Sequence, residues 1–376
     1  MKIRLATPED ASACNDFYNQ YYTDKRTLDQ WRWEFCSSLY KGPMAPFVMV
    51  EDGGCVVGTQ AMIPVPMIDG QGTFWTAKSE ETLVDPHYRG KHLFAQMYEL
   101  LFDYAKQNDI RAIWGFTPAE RAFKRVGFAV PGATSQLFRP FSGRSVKILS
   151  DRYFVRKKRV QWSALKTMAG SLAGAGLSLV SSALNLSQRI VERRILLNGL
   201  HLKTLTDPPE DISELSVSFV KQWGGTTIFR SADYLRWRIF ANPHVSAVVR
   251  AVYMNNQLLG WIIYALDDDS MGYIVDLMAI SDSVDGLSAV AVIKILLIDA
   301  VKRLQKAGAV GVRAWHINDH PFGRSAAQLM KRMGFFLIRK GYQVVVYPHL
   351  ETIERQSLNF FDNWYITRLY TQGLLG

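Results

Sequence analysis

Three short segments of this chain recur later in the sequence at nearly one offset, 204, 202 or 207 residues, and this repeat constrains the fold more than any other feature. Three separate matches at nearly one spacing indicate two copies of one fold, over residues 1–140 and 205–350. The matched pairs are DQWRW at 29–33 with DYLRW at 233–237, Gly58 with Gly260 at the end of an apolar strand, and KRVGF at 124–128 with KRMGF at 331–335.

Each copy combines the sequence patterns of strands and helices. In the first copy, alternating apolar residues on both sides of the turn Asp52-Gly53-Gly54 predict a β-hairpin. A further strand, a long helix, a short strand and a last helix follow, and the last helix ends at Gly127 or Gly334, because glycine readily adopts the positive φ of a helix C-cap. We therefore expect an α/β fold of the mixed α+β kind, with two tandem units that are each a mixed sheet flanked by helices. The apolar residues of the two long helices recur every three or four positions and are Leu93, Met97, Leu100, Leu101 and Tyr104 in the first copy and Ile293, Leu296, Leu297, Ala300 and Leu304 in the second.

The composition is that of a globular protein with a polyanionic partner. The chain has 376 residues, 48% of them apolar, which is enough to build the cores of two domains. Its formal net charge of +10 favours nucleic acid, an acidic membrane surface or a phosphorylated ligand as the partner. The three cysteines, Cys14, Cys36 and Cys55, form no CxxC pair, which argues against a disulfide framework or a zinc site. Since the first residues lack the apolar stretch of a secretory signal, we expect a cytoplasmic protein.

The segment between the copies, 141–204, is expected to be a basic and helical linker. Residues 139–160 carry eight basic residues and one acid, and an uncharged run follows over residues 167–188. The apolar positions of this run follow one helical stripe, so three interpretations stay open: a connector helix packed on the domains, an interfacial helix beside an acidic membrane, and a spanning helix. Peripheral membrane contact through 139–190 is therefore one expectation. Residues 351–376 are expected to form a C-terminal tail.

The segment TLVDPHYRGKHLF, residues 82–94, is the part of the sequence with the clearest chemical meaning. Its pattern predicts a strand, a turn bounded by proline and a basic glycine loop that leads directly into the long helix. The first turn of a helix has unpaired N–H groups and a partial positive charge, so it can bind a diphosphate. Arg89 and Lys91 add positive charge, and Gly90 lets the backbone approach a ligand closely. The alternative is an ordinary strand-to-helix turn with two solvated basic side chains.

The sequence V-D-P-x-Y-R-G-K, with the K-R-V-G-F helix downstream, resembles the GNAT superfamily of acyl-CoA-dependent N-acyltransferases over most of residues 1–130 and more faintly over 205–345. In that family a loop Q/R-x-x-G-x-G/A binds the coenzyme A diphosphate; Arg89 fits its first position, but His92 and Phe94 stand where glycines are usual. We expect these two side chains to alter coenzyme affinity or acyl-chain preference. The resemblance implies acetyl-CoA as co-substrate and no metal. The coenzyme-binding residues that it implies are Thr82, Leu83, Val84, Arg89, Gly90, Lys91, His92, Leu93, Phe94, Ala95 and Thr117.

The second copy lacks this basic loop. It has the acidic segment 281–286 in that place, which would repel a diphosphate. We therefore expect only the first copy to bind coenzyme A, with the second shaping the substrate cleft. His316 and His320 have the spacing of a metal pair on a helix, but Pro321 and an Asn-Asp turn place them in a strand-to-helix loop, so no metal site is expected there.

Acetyl transfer to an amine requires a base, because an alkylamine is mostly protonated at pH 7. The strand before the loop offers Glu80 and Glu81, whose side chains should point to opposite faces by the period of two. The family resemblance favours Glu81 as the catalytic residue; the alternative is that these carboxylates lie at the sheet surface or pair with a lysine such as Lys78. Many GNAT enzymes use a tyrosine to protonate the leaving thiolate. The corresponding residue here is Phe123, so that role is absent or moved.

The resemblance implies a tandem GNAT N-acetyltransferase that transfers acetyl from acetyl-CoA to an amine. Relatives with this loop and length look like enzymes of cell-surface glycan biosynthesis, so an amino sugar is the expected acceptor. Two other functions stay open. A Fem-type transferase would use aminoacyl-tRNA and show salt-dependent tRNA binding, and a non-catalytic member would bind coenzyme A or a protein partner without turnover. We expect a small-molecule amine as partner and no nucleic acid; the sequence does not predict the oligomeric state.

Overall fold

The computed structural model of the chain describes residues 1–36, 39–145, 199–281, 286–316, 320–348 and 363–371. The predicted linker at 141–204 falls outside the described residues from 146 to 198, as do most of the predicted tail at 351–376 and residues 282–285 of the acidic segment. The chain forms two compact units, and each contains segments from both halves of the sequence. Unit 1 comprises Met1–Ala133, Gly225–His244 and Tyr342–Trp364, and unit 2 comprises Thr134–Gly224, Val245–Gly341 and Tyr365–Gly376.

Unit 1 is built on a mixed sheet. Its strands are β1 (Lys2–Leu5), β2 (Phe47–Asp52), β3 (Cys55–Asp69), β4 (Gly72–Val84), β5 (Ile110–Thr117) and the second half of β13 (Phe336–Pro348). They follow the order β1-β2-β3-β4-β5-β13, and β4 pairs with β5 in parallel while the other neighbours are antiparallel. The hairpin predicted around Asp52-Gly53-Gly54 is confirmed as the β2–β3 turn. A short strand, β8 (Thr227–Ile228), pairs with β3.

Helices cover both faces of this sheet. Alternate residues of β2 divide between two cores: Val48 and Val50 pack with α3 (Leu93–Gln107), whereas Phe47 and Met49 pack with residues of α1 (Ala11–Tyr21) and α2 (Leu28–Cys36). The long helix predicted from the apolar residues between Leu93 and Tyr104 is confirmed as α3. A short helix, α4 (Glu120–Arg125), follows β5 and ends before Gly127, whose φ of 94° has the predicted sign. Another short helix, α6 (Ala232–Leu235), belongs to the segment Gly225–His244.

Unit 2 repeats this topology. Its strands are β6 (Ala129–Pro140), from Thr134 onward, β7 (His201–Leu205), β9 (Ala247–Met254), β10 (Gln257–Leu266), β11 (Met271–Ala279) and β12 (Gly311–His316). They follow the order β7-β9-β10-β11-β12-β6, and β11 and β12 are its parallel pair. Its helices are α5 (Ile212–Trp223), α7 (Ala289–Lys306) and α8 (Pro321–Arg332), and α7 buries the apolar stripe predicted for the second long helix. The two copies inferred from the repeat therefore have one fold. Within the described ranges, no helix is both long enough and apolar enough to span a bilayer.

Each unit completes its sheet with a strand that comes from the other half of the sequence. In unit 1, residues 343–348 of β13 pair antiparallel with residues 112–117 of β5. In unit 2, residues 135–140 of β6 pair antiparallel with residues 311–316 of β12. The repeat predicts two similar folds but not this exchange of last strands, because local sequence patterns do not specify which of two equivalent sheets a strand joins.

The repeated tryptophans contact each other within unit 1. Trp33 Nε1 donates a hydrogen bond to the carbonyl oxygen of Trp237 at 3.1 Å, and Trp237 Nε1 donates one to the carbonyl oxygen of Trp33 at 2.9 Å. Their ring centroids lie 5.5 Å apart. These two residues occupy equivalent positions of the repeat and therefore form the same hydrogen bond with each other in both directions.

Candidate active site

An open edge of β4 defines the candidate site in unit 1. The parallel ladder between β4 and β5 runs from Trp75 and Ile110 to Lys78 and Trp114, although β4 continues to Val84 and β5 to Thr117. Within the described part of the chain, residues 79–84 of β4 therefore pair with β3 on one edge only. The unpaired edge can accept the amide groups of an extended ligand.

A β-bulge at Glu81 lies on this open stretch. Ala61 of β3 pairs with Glu80 and Thr59 pairs with Leu83, so Glu81 and Thr82 together oppose the single residue Gln60. Glu81 has a φ of 56°, in the left-handed region that side chains other than glycine rarely adopt. The Gln60 amide fills the bulge: its Nε2 donates to the carbonyl oxygen of Glu80 at 2.9 Å, and its Oε1 accepts from Thr82 Oγ1 at 2.5 Å.

The Glu81 carboxylate is held by a buried arginine. Arg26 donates two hydrogen bonds to it, at 2.7 and 3.1 Å, and a third to Glu34 at 2.8 Å. The side chains of Glu81 and Glu34 are 2% and 1% exposed. Burial raises the pKa of Glu34 to about 7 and also raises the pKa of Glu81, although the Arg26 guanidinium opposes both shifts. One guanidinium group thus donates hydrogen bonds to two buried carboxylates.

Lys78 and Glu80 form a second ion pair in the same cluster. The Glu80 side chain is 19% exposed, which makes it the more accessible of the two carboxylates predicted for catalysis. Burial holds the pKa of the Lys78 ammonium well below its ordinary value, the Arg238 charge lowers it further, and Glu34 opposes the shift. Alternation alone predicts that Glu80 and Glu81 face opposite sides of the sheet, but the left-handed conformation of Glu81 turns its carboxylate toward the same charged cluster. The pairing of Glu80 with Lys78 is the alternative that the sequence left open.

The predicted anion loop lies between β4 and α3. The N–H groups of residues 90–94 have no acceptor among the described residues, since the first helical hydrogen bonds come from Ala95 and Gln96 to the His92 carbonyl oxygen. Gly90 and His92 both have positive φ, 84° and 58°. Five free backbone amides at a helix N-terminus form a site for an anion. Arg89, Lys91 and His92 are exposed around them.

The turn before the loop is fixed by its own side chains. Asp85 Oδ1 accepts the backbone N–H of His87 at 2.8 Å, and the Tyr88 hydroxyl donates to Asp52 Oδ2 at 2.8 Å. The Lys91 ammonium lies 4.3 Å from the centroid of the Tyr88 ring. These contacts hold the loop against the β2–β3 turn, so its amides are arranged before any ligand arrives.

His92 adopts the left-handed conformation at the position where the GNAT loop usually has glycine. A side chain in this conformation costs about 1–2 kcal/mol, while glycine loses about 0.5–1 kcal/mol of backbone entropy. We therefore expect His92→Gly to raise the free energy of unfolding by up to about 1 kcal/mol, measured by chemical denaturation. Lys91→Gly is the matched control, because Lys91 has a negative φ, and it should lower stability by about 0.5–1 kcal/mol. Equal effects of the two substitutions would show that His92 is not strained.

The remaining predicted coenzyme residues divide between loop, strand and core. The Phe94 ring packs on Tyr98 and Phe123, with centroid distances of 4.9 and 5.3 Å, so it points into the core and not over the free amides. Thr117 Oγ1 accepts the N–H of Ala119 at 2.9 Å and so caps the turn after β5. Leu93 is buried, Leu83, Val84 and Ala95 are half-buried, and Thr82 is exposed. Phe123, the residue at the tyrosine position, is 4% exposed.

Sequence reasoning missed the residues that surround the two carboxylates. Arg26 lies 55 positions before Glu81, and Arg238 is in a segment that the repeat assigns to the second copy. Glu34 directly follows the repeated Trp33, which was the one sequence signal near this cluster. Gln60 gave no signal, because only the bulge makes its side chain important.

In each unit we call the space between the two parallel strands, beyond the end of their ladder, the slot. It lies between β4 and β5 in unit 1 and between β11 and β12 in unit 2. β11 and β12 are paired from Met271 and Gly311 to Tyr273 and Arg313, and both strands continue beyond this ladder. Residues 365–370 of the same unit lie at this position. A cavity of about 30 Å³ remains between them and the strands, room for about one or two water molecules.

Specific contacts hold residues 365–370 in this slot. Thr367 Oγ1 donates to Asp276 Oδ1 at 2.7 Å, and the Tyr365 hydroxyl donates to the carbonyl oxygen of Leu277 at 2.6 Å. The Arg368 guanidinium is buried and lies 4.8 Å from the centroid of the Tyr273 ring. The slot that is open in unit 1 is therefore filled by the chain itself in unit 2.

The histidines considered for a metal pair lie in unit 2. His320 is buried and directly precedes α8, where its Nε2 lies 3.1 Å from the carbonyl oxygen of Gly224. In the part of the chain that the structure describes, no group of three or more His, Cys, Asp or Glu side chains is arranged so that it could hold a metal ion.

Part of unit 1 matches a protein-family model, and the chain is similar to several solved structures. Residues 2–130 match the family model described as an acetyltransferase (GNAT) domain. Among solved structures, the chain is similar to a GCN5-related N-acetyltransferase from Anabaena variabilis, with 12% identity, a TM-score of 0.57, and coverage of 92% of this chain and 72% of that one. It is also similar to a conserved protein of unknown function from Enterococcus faecalis, with 11% identity, a TM-score of 0.58, and coverage of 92% and 72%.

A third similar structure contains a bound acyl-CoA. It is the N-myristoyltransferase of Saccharomyces cerevisiae with myristoyl-CoA, with 12% identity, a TM-score of 0.54, and coverage of 92% of this chain and 82% of that one. At these identities the structural likeness defines the fold. No curated protein matches the sequence.

Proposed function

We propose that this chain, whose residues 2–130 match an acetyltransferase (GNAT) domain, is an acyltransferase that transfers an acetyl group from acetyl-CoA to an amine and binds the coenzyme in unit 1. The observation that carries the proposal is the set of five free backbone amides at residues 90–94, next to the open edge of β4. A diphosphate satisfies such amides, and an extended thiol-bearing arm with amide groups satisfies a strand edge.

Each part of this site has a separate task toward the coenzyme. The amides of residues 90–94 hold the diphosphate, and Arg89 and Lys91 neutralise its outer oxygens. Residues 82–84 present backbone groups along the pantetheine arm and polarise the thioester carbonyl. The Phe94 side chain leaves the amides accessible, because its ring packs on Tyr98 and Phe123.

Glu80 is the residue that we propose as the base. The acceptor nitrogen attacks the thioester carbon, a C–N bond forms, the C–S bond breaks, and the coenzyme leaves as a thiolate. The proton lost by the amine passes to the Glu80 carboxylate, directly or through water. Glu81 was favoured by the sequence, but its carboxylate is 2% exposed and accepts two hydrogen bonds from Arg26, whereas Glu80 is 19% exposed. Because Phe123 cannot donate a proton, the thiolate takes its proton from water.

The surface beside these carboxylates suits an amino sugar as the acceptor. Tyr22 is 43% exposed and stacks on Tyr18, with centroids 4.3 Å apart. The Arg26 guanidinium, which binds both Glu34 and Glu81, lies 4.1 Å from the centroid of the Tyr18 ring. An exposed aromatic ring matches the apolar face of a sugar ring, and Glu80, which is 19% exposed, is the carboxylate of the cluster that can meet its ammonium group.

Coenzyme binding is the first test. We expect acetyl-CoA to raise the melting temperature of the wild-type chain and the double variant Arg89→Ala/Gly90→Ala to abolish this rise, because it removes a phosphate-binding charge and strains the loop at a φ of 84°. Lys106→Ala is the matched control, since Lys106 is an exposed cation in the last turn of α3, far from the loop, and its variant should respond like wild type. A double variant that responds like wild type would place the coenzyme elsewhere.

Turnover is the second test. Release of free thiol from acetyl-CoA, followed across a panel of amino sugars and linear amines, should depend on Glu80 and fall by about 10²-fold or more in Glu80→Gln. Coenzyme binding without turnover on any amine would instead identify a coenzyme-binding protein that is not an enzyme.

A further inference from the structure

The left-handed conformation of Glu81 requires an explanation. A residue other than glycine occupies this region only when its surroundings hold it there. Glu81 has a φ of 56° in the middle of a strand, at the bulge that directly precedes the residues proposed to bind acyl-CoA. The neighbouring contacts should therefore show what holds it.

Arg26 is the contact that can hold this conformation. Two of its nitrogens bind the two Glu81 oxygens at 2.7 and 3.1 Å, an arrangement that fixes the direction of the carboxylate as well as its position. Thr59 Oγ1 also donates to the Glu81 carbonyl oxygen, at 3.2 Å. A carboxylate fixed in this way determines the orientation of the backbone that carries it.

Arg26 is itself held by contacts with residues of α1 and α2. Its Nε donates to Asn15 Oδ1 at 3.1 Å, its guanidinium binds Glu34 at 2.8 Å, and the Tyr18 ring lies 4.1 Å from it. Its backbone carbonyl oxygen accepts hydrogen bonds from the side-chain amides of Asn15 and Asn19, at 3.1 and 2.8 Å. These contacts join Arg26 to α1 and α2, so the arginine connects these helices rigidly to the β4 bulge.

The bulge determines which groups of β4 face the open slot. In a strand, a shift of one residue moves every following side chain to the opposite face and every following amide to the opposite edge. Thr82 is the second residue of the bulge, residues 83 and 84 follow it, and the loop with the free amides comes next. Without the left-handed residue, this stretch would present the other set of backbone groups to the slot.

We propose that Arg26 is a positioning residue, which holds Glu81 in the left-handed conformation and so keeps residues 82–84 in the register that binds acyl-CoA. This inference rests on the proposed function. In this proposal Glu81 has a structural role in coenzyme binding, and Glu80 remains the residue that accepts the proton of the amine.

A pair of substitutions at position 81 tests the proposal. Glu81→Gly and Glu81→Ala both remove the carboxylate, but glycine adopts a positive φ freely and alanine does not. We expect Glu81→Gly to bind acetyl-CoA with a Kd close to that of wild type and Glu81→Ala to bind at least about fivefold more weakly, because only a fraction of its molecules keeps the bulge. Isothermal titration at constant pH measures both values. Equal Kd values for the two variants would overturn the proposal, as would a strong loss of binding in both.

A rescue experiment tests the role of Arg26 directly. Arg26→Lys keeps a cation for Glu34 but cannot bind Glu81 through two nitrogens, so it should weaken acetyl-CoA binding. Adding Glu81→Gly to this variant should restore the affinity for acetyl-CoA, since glycine adopts a positive φ without being held by Arg26. If the double variant binds acetyl-CoA no better than Arg26→Lys, Arg26 does not act by holding Glu81 in the left-handed conformation. Should Arg26→Lys fail to fold, the comparison at position 81 decides alone.

Hydrogen exchange separates this proposal from the proposed function. In the free protein, the amides of residues 82–84 should exchange faster in Glu81→Ala than in Glu81→Gly, which is measured by mass spectrometry of the peptide that contains them. If wild type does not bind acetyl-CoA, the proposed function fails, and the exchange rates still decide whether the bulge is held in this way. Equal rates in the two variants would overturn the positioning role.

Discussion

A chain shortened to end at Trp364 should lose the cooperative unfolding transition of unit 2. The missing residues include Tyr365, Ile366, Leu369 and Tyr370, whose exposed fractions are between 1% and 6%. Each buried side chain of this kind contributes about 1.5–3 kcal/mol, so their joint loss is comparable to the 5–15 kcal/mol by which a domain is stable. Thermal unfolding and limited proteolysis mapped to residues 245–341 measure the effect.

Two further variants make this prediction specific. A chain that ends at Thr371 keeps every named contact of residues 365–370 and should unfold like the full-length chain. Thr367→Val removes the hydrogen bond to Asp276 while keeping the shape of the side chain, and we expect a loss of about 1–2 kcal/mol, because the buried carboxylate loses a donor. If the chain that ends at Trp364 melts like the full-length protein, residues 365–370 do not stabilise the slot of unit 2.

The filled slot supports the proposal that acyl-CoA binds in unit 1 and not in unit 2. In unit 1 the edge of β4 is open and leads to five free amides, whereas in unit 2 the equivalent place between β11 and β12 contains residues 365–370. The acidic character of the second loop suggested from the sequence that only one copy binds the coenzyme. The slot provides a second and independent reason, because it offers no room for a pantetheine arm.

The sequence predicted the features that depend on neighbouring residues. The hairpin at Asp52-Gly53-Gly54, the long helix with apolar residues from Leu93 to Tyr104 and the positive φ of Gly127 all follow from local patterns, and the structure has each of them. The free amides of the loop are also predictable from local sequence, because a helix N-terminus always leaves its first N–H groups unpaired.

The features that the sequence did not predict depend on contacts between distant segments. The exchange of β6 and β13 between the two sheets joins residues about 200 positions apart in equivalent copies, and no local pattern distinguishes the two sheets. The filling of the unit 2 slot by residues 365–370 has no counterpart in the repeat, so these residues were assigned to a tail.

The candidate site likewise has one part that local sequence predicts and another that depends on contacts between distant residues. Its coenzyme loop follows from local sequence, but the partners of its carboxylates do not, since Arg26 is 55 residues from Glu81. Alternation along the strand predicted opposite faces for Glu80 and Glu81, and one left-handed residue changed that result. A bulge breaks the period of two on which the prediction depended.

The buried cluster predicts a pH dependence of stability that a single substitution should reduce. Burial raises the pKa of Glu34 to about 7 in the folded chain, whereas the pKa is close to its ordinary value of 4.5 when the side chain is exposed. Between these values the folded chain binds more protons than the unfolded chain, so the stabilising contribution of protonated Glu34 is complete below about pH 4.5 and is lost as the pH rises through about 7. The shift corresponds to about 3 kcal/mol at most, at 1.36 kcal/mol per pKa unit.

Glu34→Gln should therefore flatten the decline in stability between about pH 4.5 and pH 7, because the amide keeps the shape of the side chain and still accepts a hydrogen bond from Arg26 without carrying a charge. Urea denaturation at a series of pH values measures the free energy of unfolding of both chains, and their difference isolates Glu34 from Glu81, whose pKa is also raised. Asp16→Asn is a suitable control, since Asp16 is an exposed carboxylate of α1. If the stability of Glu34→Gln declines as steeply as that of wild type, Glu34 binds no proton in this range and the prediction is wrong. In that case the extra proton of the cluster would have to reside on Glu81, and the same series of measurements on Glu81→Gln would show the flattened profile instead.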